Sequence, residues 1–363
     1  MITILLVVGI LVLLIVVHEL GHFIVAKLFR VRVEEFGIGY PPRAFSFGRW
    51  GGTEYTLNWL PFGGFVRLFG DEGQGVKGRG SFVDAPRYVQ ILILLAGVGG
   101  NALAAWLLFA GALHLGIPRP ATLTDSPQSV QLFISSVVPG SPADAVGLAL
   151  ADTITSIENR KGDKPSSLTP VGVADFVKQN GGEPLTVSYV RGGSGKITTL
   201  SPAHGVLPGA ADQPALGVVL ELVSTQSLPW LEAFGEAWNY TRIAFVGSLH
   251  GLGSVVKNIT QGASALQSVV GPIGLVSFVG EAAQNGFGQV MALAALISVN
   301  LTIINLVPIP ALDGGRLFIV IGETIARRAA PRLAMEILNV FGIVLITLLM
   351  VTVTYNDIAR LLA

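Results

Sequence analysis

Residues 14–27, LIVVHELGHFIVAK, set two histidines and a glutamate among aliphatic side chains. An ionisable group deep in a bilayer costs at least about 2.5–3.5 kcal/mol, so three in one run need partners or a task. At about 100° per residue, His18 and His22 fall about 40° apart on one helical face, so both imidazoles can reach a single ion. Glu19 stands one position round, close enough to a water on that ion to serve as its base. This H-E-x-x-H spacing is the one by which zinc-dependent peptidases hold their metal. The plainer reading is a histidine pair hydrogen-bonded inside a helix bundle, with Glu19 at its rim.

Catalytic zinc takes three protein ligands and keeps one position open. The chain has no cysteine, so histidine, aspartate and glutamate must supply them. His114 ends an apolar run at its far side from the motif, and His204 and His250 lie in outward regions. Asp313, in NLVPIPALDGGRLF, is the best remaining candidate. Pro308 and Pro310 each remove a backbone donor and break a helix, and Gly314-Gly315 permit a tight turn. Irregular backbone at membrane depth survives only against protein or a water-filled cavity, and hydrolysis needs such a cavity. The alternative for LDGG alone is a turn whose aspartate caps the next helix.

These residues must be positioned by a membrane framework. The 363 residues are 51% hydrophobic and 13% charged, with a mean hydropathy of +0.64. That balance fits a polytopic helical membrane protein with a soluble insert. The 23 basic and 23 acidic residues cancel, so nothing points to nucleic acid. Apolar runs of spanning length lie at about 2–28, 88–116, 287–310 and 335–355, which predicts about four transmembrane helices. The first lacks the basic n-region of a cleavable signal peptide and reads as a retained span. Lys27, Arg30, Arg32, Arg43, Arg49 and Arg67 follow the first run, and Arg316, Arg327, Arg328 and Arg332 follow the third. By the positive-inside rule both connections are cytoplasmic and both termini face outward. The first and third helices then run the same way, which puts Asp313 at the depth of His18 and His22.

Four regions result. Residues 1–117 carry two spans and, at 45–67, a β-hairpin turning at Gly51-Gly52, where Tyr55, Leu57 and Trp59 alternate with Thr56 and Asn58. Residues 118–230 form one outward domain, in which QLFISSVV, PGSPADAVGL, DTITSIENRKG and PLTVSYVRGG resemble an α+β PDZ domain of the bacterial protease-associated type. Residues 231–286 hold an amphipathic segment at 238–259, with Ile243, Val246, Leu249, Leu252 and Val256 opposite Arg242, His250 and Lys257; it reads as interfacial. Residues 287–363 carry the last two spans.

HELGH in the first span and N-x-x-P-x-P-x-L-D-G-G from Asn305 to Gly315 resemble the site-2 protease family of intramembrane zinc proteases, in its bacterial regulator of sigma-E protease branch. The likeness extends to the membrane-associated hairpin, the G-x-x-x-N element from Gly97 to Asn101, the PDZ insert and GPIG at 271–274. It implies a bacterial inner-membrane endopeptidase with Zn2+ on His18, His22 and Asp313, near the cytoplasmic side, and Glu19 as general base. It further implies that Asn305 and Asn300 hold substrate backbone. An unwound substrate helix would add to the hairpin edge at Leu57 and Trp59. The expected partners are the lipid bilayer and single-pass proteins already shortened outside, such as anti-sigma factors or residual signal peptides, with peptide or substrate contact at the PDZ domain. The rival reading is a membrane metal transporter or a non-catalytic PDZ scaffold. A transporter would spread polar groups across both leaflets, and a scaffold has no use for Glu19.

Overall fold

A computed structural model describes residues 2–71, 78–122, 125–206, 212–260, 271–328 and 331–362. In chain order it contains α1 (Ile2–Leu28), β1 (Val33–Trp50), β2 (Thr53–Leu68), α2 (Arg87–His114), β3 (Arg119–Pro120), β4 (Val130–Val137), α3 (Pro142–Ala145) and β5 (Thr153–Glu158). These are followed by α4 (Pro170–Gln179), β6 (Leu185–Arg191), β7 (Ser194–Leu200), β8 (Val218–Ser224), α5 (Trp230–Thr260), α6 (Pro272–Gln284), α7 (Phe287–Ile304), α8 (Asp313–Ala326) and α9 (Arg332–Leu362). The chain divides into two compact units, residues 1–113 with 229–363, and residues 114–228.

Among the described residues of the first unit, four helices are long and apolar enough to cross a membrane: Ile2–Leu28, Arg87–His114, Phe287–Ile304 and, within α9, Met335–Arg360. Burial along α1 shows which side meets protein. Val7, Leu14, His18, His22 and Ala26 are its buried residues, spaced 7, 4, 4 and 4 apart, one stripe of a helix of 3.6 residues per turn. Both histidines lie on the protein-facing stripe, whereas Leu5, Leu13, Ile24 and Leu28 are exposed. The arrangement is that of a span with its polar groups inside and its aliphatic groups toward lipid. Glycine brings α2 close to it: a methyl group at Gly21 would collide with the Ala96 carbonyl, and one at Gly100 would come within 2.8 Å of the Val17 oxygen. Small residues let spanning helices approach to backbone contact.

β1 and β2 pair antiparallel as a hairpin around Gly51-Gly52, with Arg43 opposite Asn58 and Trp50 opposite Thr53. Residues 33–38 complicate it, lying between two stretches of β2 and facing Glu54–Leu57 on one side and Gly64–Leu68 on the other. The alternation expected in β2 is present with its polar face inside. Thr56 is 1% exposed and Trp59 70% exposed. The inner polar groups are satisfied: the Thr56 hydroxyl donates to Glu35 at 2.7 Å, and the Asn58 amide donates to the Gly39 carbonyl at 3.1 Å. Glu35 also pairs with Arg43 and Arg67.

The segment 238–259 lies within α5, which packs against α7. Ile243, Val246 and Leu249 are exposed, and Val256 lies among residues whose side chains are not described. Further along, Asp357 of α9 is buried and accepts from the backbone N–H groups of Gly271 and Gly274 at 3.2 and 2.9 Å, which caps the start of α6.

The second unit is a six-stranded antiparallel sheet in the order β3-β8-β4-β5-β6-β7. Inward residues of its strands, including Leu132, Ile134, Ile154, Ile157, Leu185 and Val187, bury in one core with Val173 and Phe176 of α4. Each such aliphatic side chain contributes about 1.5–3 kcal/mol when fully buried. Thr169 caps α4 by accepting from the Gly172 N–H at 3.1 Å. Two ion pairs lock the unit: Arg119 with Asp125, and Arg191 with the fully buried Asp152 at 2.6 Å.

Candidate metal centre

The motif histidines reach the site because each has its other ring nitrogen occupied. His22 donates from Nδ1 to the Ile93 carbonyl of α2 at 2.7 Å, which turns Nε2 inward. His18 has its Nδ1 against the Asn101 carboxamide, also of α2, at 3.2 Å. Outer partners of this kind set ring orientation and tautomer in metal-binding histidines. Gly97, one turn before Asn101, leaves the room. A methyl group there would collide with His22 Nε2 and come within 2.8 Å of the His18 ring.

Asp313 arrives from a break in the chain. α7 ends at Ile304 and α8 begins at Asp313, with Pro308 and Pro310 between. Asn305 caps the end of α7, and its carbonyl accepts from the Gly314 N–H at 2.7 Å, closing the turn. Gly314 and Gly315 lack a Cβ because it would strike the carbonyls of Val307 and Ile309. Arg316, one helical turn into α8, forms an ion pair with Asp71 just after β2, tying the turn to the strand segment beside α1.

Asp313 Oδ2 stands 2.8 Å from His18 Nε2 and 3.2 Å from His22 Nε2, and the two Nε2 atoms are 3.2 Å apart. The donor triangle can be tested against zinc. A tetrahedron with metal–nitrogen bonds of about 2.0–2.1 Å has edges of about 3.3 Å. Sides of 3.2, 3.2 and 2.8 Å therefore suit a small tetrahedral cation after a slight outward shift of the carboxylate. Among the described residues these three form the group of His, Asp and Glu able to share an ion. Two imidazoles, one carboxylate and no thiolate make the donor set of a hydrolytic zinc site with an open position.

Glu19 lies beside the triangle, near enough to interact with the charges of His18, His22 and Asp313 and with the backbone at Val66. Gly64 lies under it: a methyl group there would sit 3.3 Å from Glu19 Cγ. The profile of Peptidase family M50 matches residues 6–349. The chain belongs to this family. A Clostridium perfringens protein named as a candidate zinc metalloprotease is 34% identical over 345 residues, 95% of each chain. Zinc metalloprotease RasP of Shouchella clausii is 28% identical over 419 residues, 96% of each. The PDZ domain of the SdrC-like protein from Listeria monocytogenes aligns with 28% of this chain and 93% of its own, at 19% identity and a TM-score of 0.21.

As an M50 peptidase the protein is a membrane-embedded zinc metalloprotease. The structure places the remaining expected site residues less uniformly. Asn305 sits on the Asp313 turn, half-buried, whereas Asn300 is exposed on α7. Leu57 and Trp59 are on the outward face of β2, and Leu57 is opposite both Phe45 and Ile38. Its backbone is thus flanked on both sides, and the part of the sheet nearest Glu19 is Gly64–Val66. His114 donates from Nδ1 to the Leu228 carbonyl of its own unit at 2.8 Å. Ile93, Asn101 and Val66 are contacts that the motif spacing does not announce. The one available signal was a polar Asn101 within the apolar α2.

Proposed function

We propose that this M50 peptidase cuts peptide bonds inside the membrane-spanning segments of single-pass proteins. One observation carries the reading. The general base and two metal ligands lie within α1, a helix long and apolar enough to span, whose outward side chains are aliphatic along its length. A peptidase whose ligands are at that depth meets substrate at that depth. The basic residues following α1 and those following the third apolar run favour a cytoplasmic-side centre, with the PDZ-like insert outside.

A zinc ion here would supply Lewis acidity toward a carbonyl and toward a water. His18, His22 and Asp313 would hold it. Glu19 takes the proton from the attacking water and delivers it to the leaving amine. Substrate in a helix has its carbonyls engaged, so it must first unwind. The Gly64–Val66 stretch beside Glu19 is the place for an extended segment to add, with Asn305 and Asn300 holding its backbone. Anti-sigma factors and residual signal peptides, once trimmed outside, have the required single span.

The test is cleavage of such a substrate by purified, zinc-loaded protein in detergent, with the cut mapped by mass spectrometry. Glu19→Gln should keep metal and lower turnover by about 10²–10⁴-fold. A cut mapped outside the spanning segment, or wild-type turnover in Glu19→Gln, overturns the reading.

A further inference from the structure

The two motif histidines are oriented by different kinds of partner, and the difference assigns a role to Asn101. The Ile93 carbonyl can only accept, so the hydrogen on His22 sits at Nδ1 and its Nε2 presents a lone pair. For His18 to ligate through Nε2 as well, its Nδ1 must carry the hydrogen and needs an acceptor. The polar group 3.2 Å from that Nδ1 is the Asn101 carboxamide.

Asn101 is 1% exposed, and its Oδ1 has no hydrogen-bond partner while Nδ2 is the atom facing His18. The two ends of a carboxamide are nearly alike in size and are told apart by their hydrogen bonds. Here the acceptor end is uncommitted. The Asn101 backbone is separately anchored, because the Ser298 hydroxyl of α7 donates to its carbonyl at 2.8 Å. Gly97 clears the space one turn earlier on the same face of α2, and Asn101 supplies the partner.

We propose that Asn101 is a positioning residue of the metal centre. Its Oδ1 accepts the Nδ1 hydrogen of His18 and so commits Nε2 of that ring to zinc, as the Ile93 carbonyl does for His22. The role rests on zinc binding at His18, His22 and Asp313. It requires an acceptor at position 101, not a donor.

The requirement separates two near-isosteric replacements. Asn101→Leu keeps bulk without an acceptor, and Asn101→Asp keeps the acceptor. Zinc dissociation constants of the full-length protein in detergent, from competition with a chromogenic chelator, give the first readout. The visible spectrum after cobalt substitution gives the second, since it reports ligand geometry independently of turnover. Asn101→Leu should bind zinc about 10–100-fold more weakly, the usual cost of losing an outer partner of a metal ligand, with an altered cobalt spectrum. Asn101→Asp should bind within a few-fold of wild type or more tightly. Should Asn101→Leu fail to fold, Asn101→Asp decides alone, because a donor role predicts weakened binding there. Wild-type affinity in Asn101→Leu, or equal losses in both variants, overturns the proposal. A wild-type protein that binds no zinc would remove the metal centre itself and the proposal with it, an outcome distinct from any ratio between variants.

Discussion

The β domain and the histidine–aspartate cluster of the membrane unit bury charge in opposite ways. In the β domain each buried carboxylate closes on a guanidinium: Asp152 on Arg191, Asp125 on Arg119. In the membrane unit, Asp313 meets two imidazoles whose Nε2 atoms face each other at 3.2 Å. Two ring nitrogens at that distance cannot both carry hydrogens toward one another, so the second arrangement suits a shared cation whereas the first is complete in itself. Buried charge that is paired serves the fold. Buried donors converging on one point serve chemistry, and the fold must hold them there through Ile93, Asn101 and the Asn305–Gly314 turn.

Asp313→Ala should break this contrast most severely, because it leaves two ligands where three are needed. Zinc content by atomic spectroscopy should fall well below one per chain and cleavage should vanish; stoichiometric metal would mean another residue completes the site. Gly97→Ala should come next. Its methyl group would displace both imidazoles, so zinc affinity should drop on the order of 10–100-fold, like the loss of an orienting contact. Gly99→Ala, two residues on with nothing within 4 Å, is the matched control. Equal effects of the two would show that α2 tolerates no change of glycine at all, and that the collision at 97 is not the cause.

Changes in the β domain should touch stability alone. Arg191→Ala leaves Asp152 buried without its cation. Because Arg191 is partly exposed, the cost should be on the order of 1–3 kcal/mol, below that of a fully buried pair. Faster hydrogen exchange in β5 and β6 with unchanged zinc content is the expected result. The smallest effect concerns acid. Its Arg119 partner holds the Asp125 carboxyl down at about 2. A carboxyl depressed in the folded state adds stability that is complete above the ordinary aspartate range and is lost as pH falls toward 2. Asp125→Asn should therefore flatten the acid limb of the unfolding curve of this domain between about pH 4 and 2, and an unchanged limb would assign it to other carboxylates.

The convergence of His18, His22 and Asp313 was legible in the sequence because H-E-x-x-H is local and the charge distribution suggested a common depth for Asp313. The four spans were legible from length and apolarity. What could not be read came from partners far along the chain. Ile93 and Asn101 stand 71 and 83 residues from the histidines they contact, and no periodicity encodes which turn of α2 meets α1. The alternation in β2 was visible, but alternation assigns two faces without saying which medium each meets. With Thr56 and Asn58 inside and Trp59 and Leu57 outside, the polar face is the packed one. Strand addition expected at Leu57 finds no free backbone edge there for a similar reason, since Ile38 lies on one side of Leu57 and Phe45 on the other.

The cap on α6 has a consequence for biosynthesis. Gly271 and Gly274 take their carboxylate from Asp357, 86 and 83 residues later. A ribosome that has just released GPIG to the membrane has therefore not yet made the group that finishes that helix start. Until α9 is translated and inserted, the peptide N–H groups there have only water or lipid headgroups to meet. Premature termination before residue 357 would leave every ligand and the general base synthesised, yet the bundle unlatched.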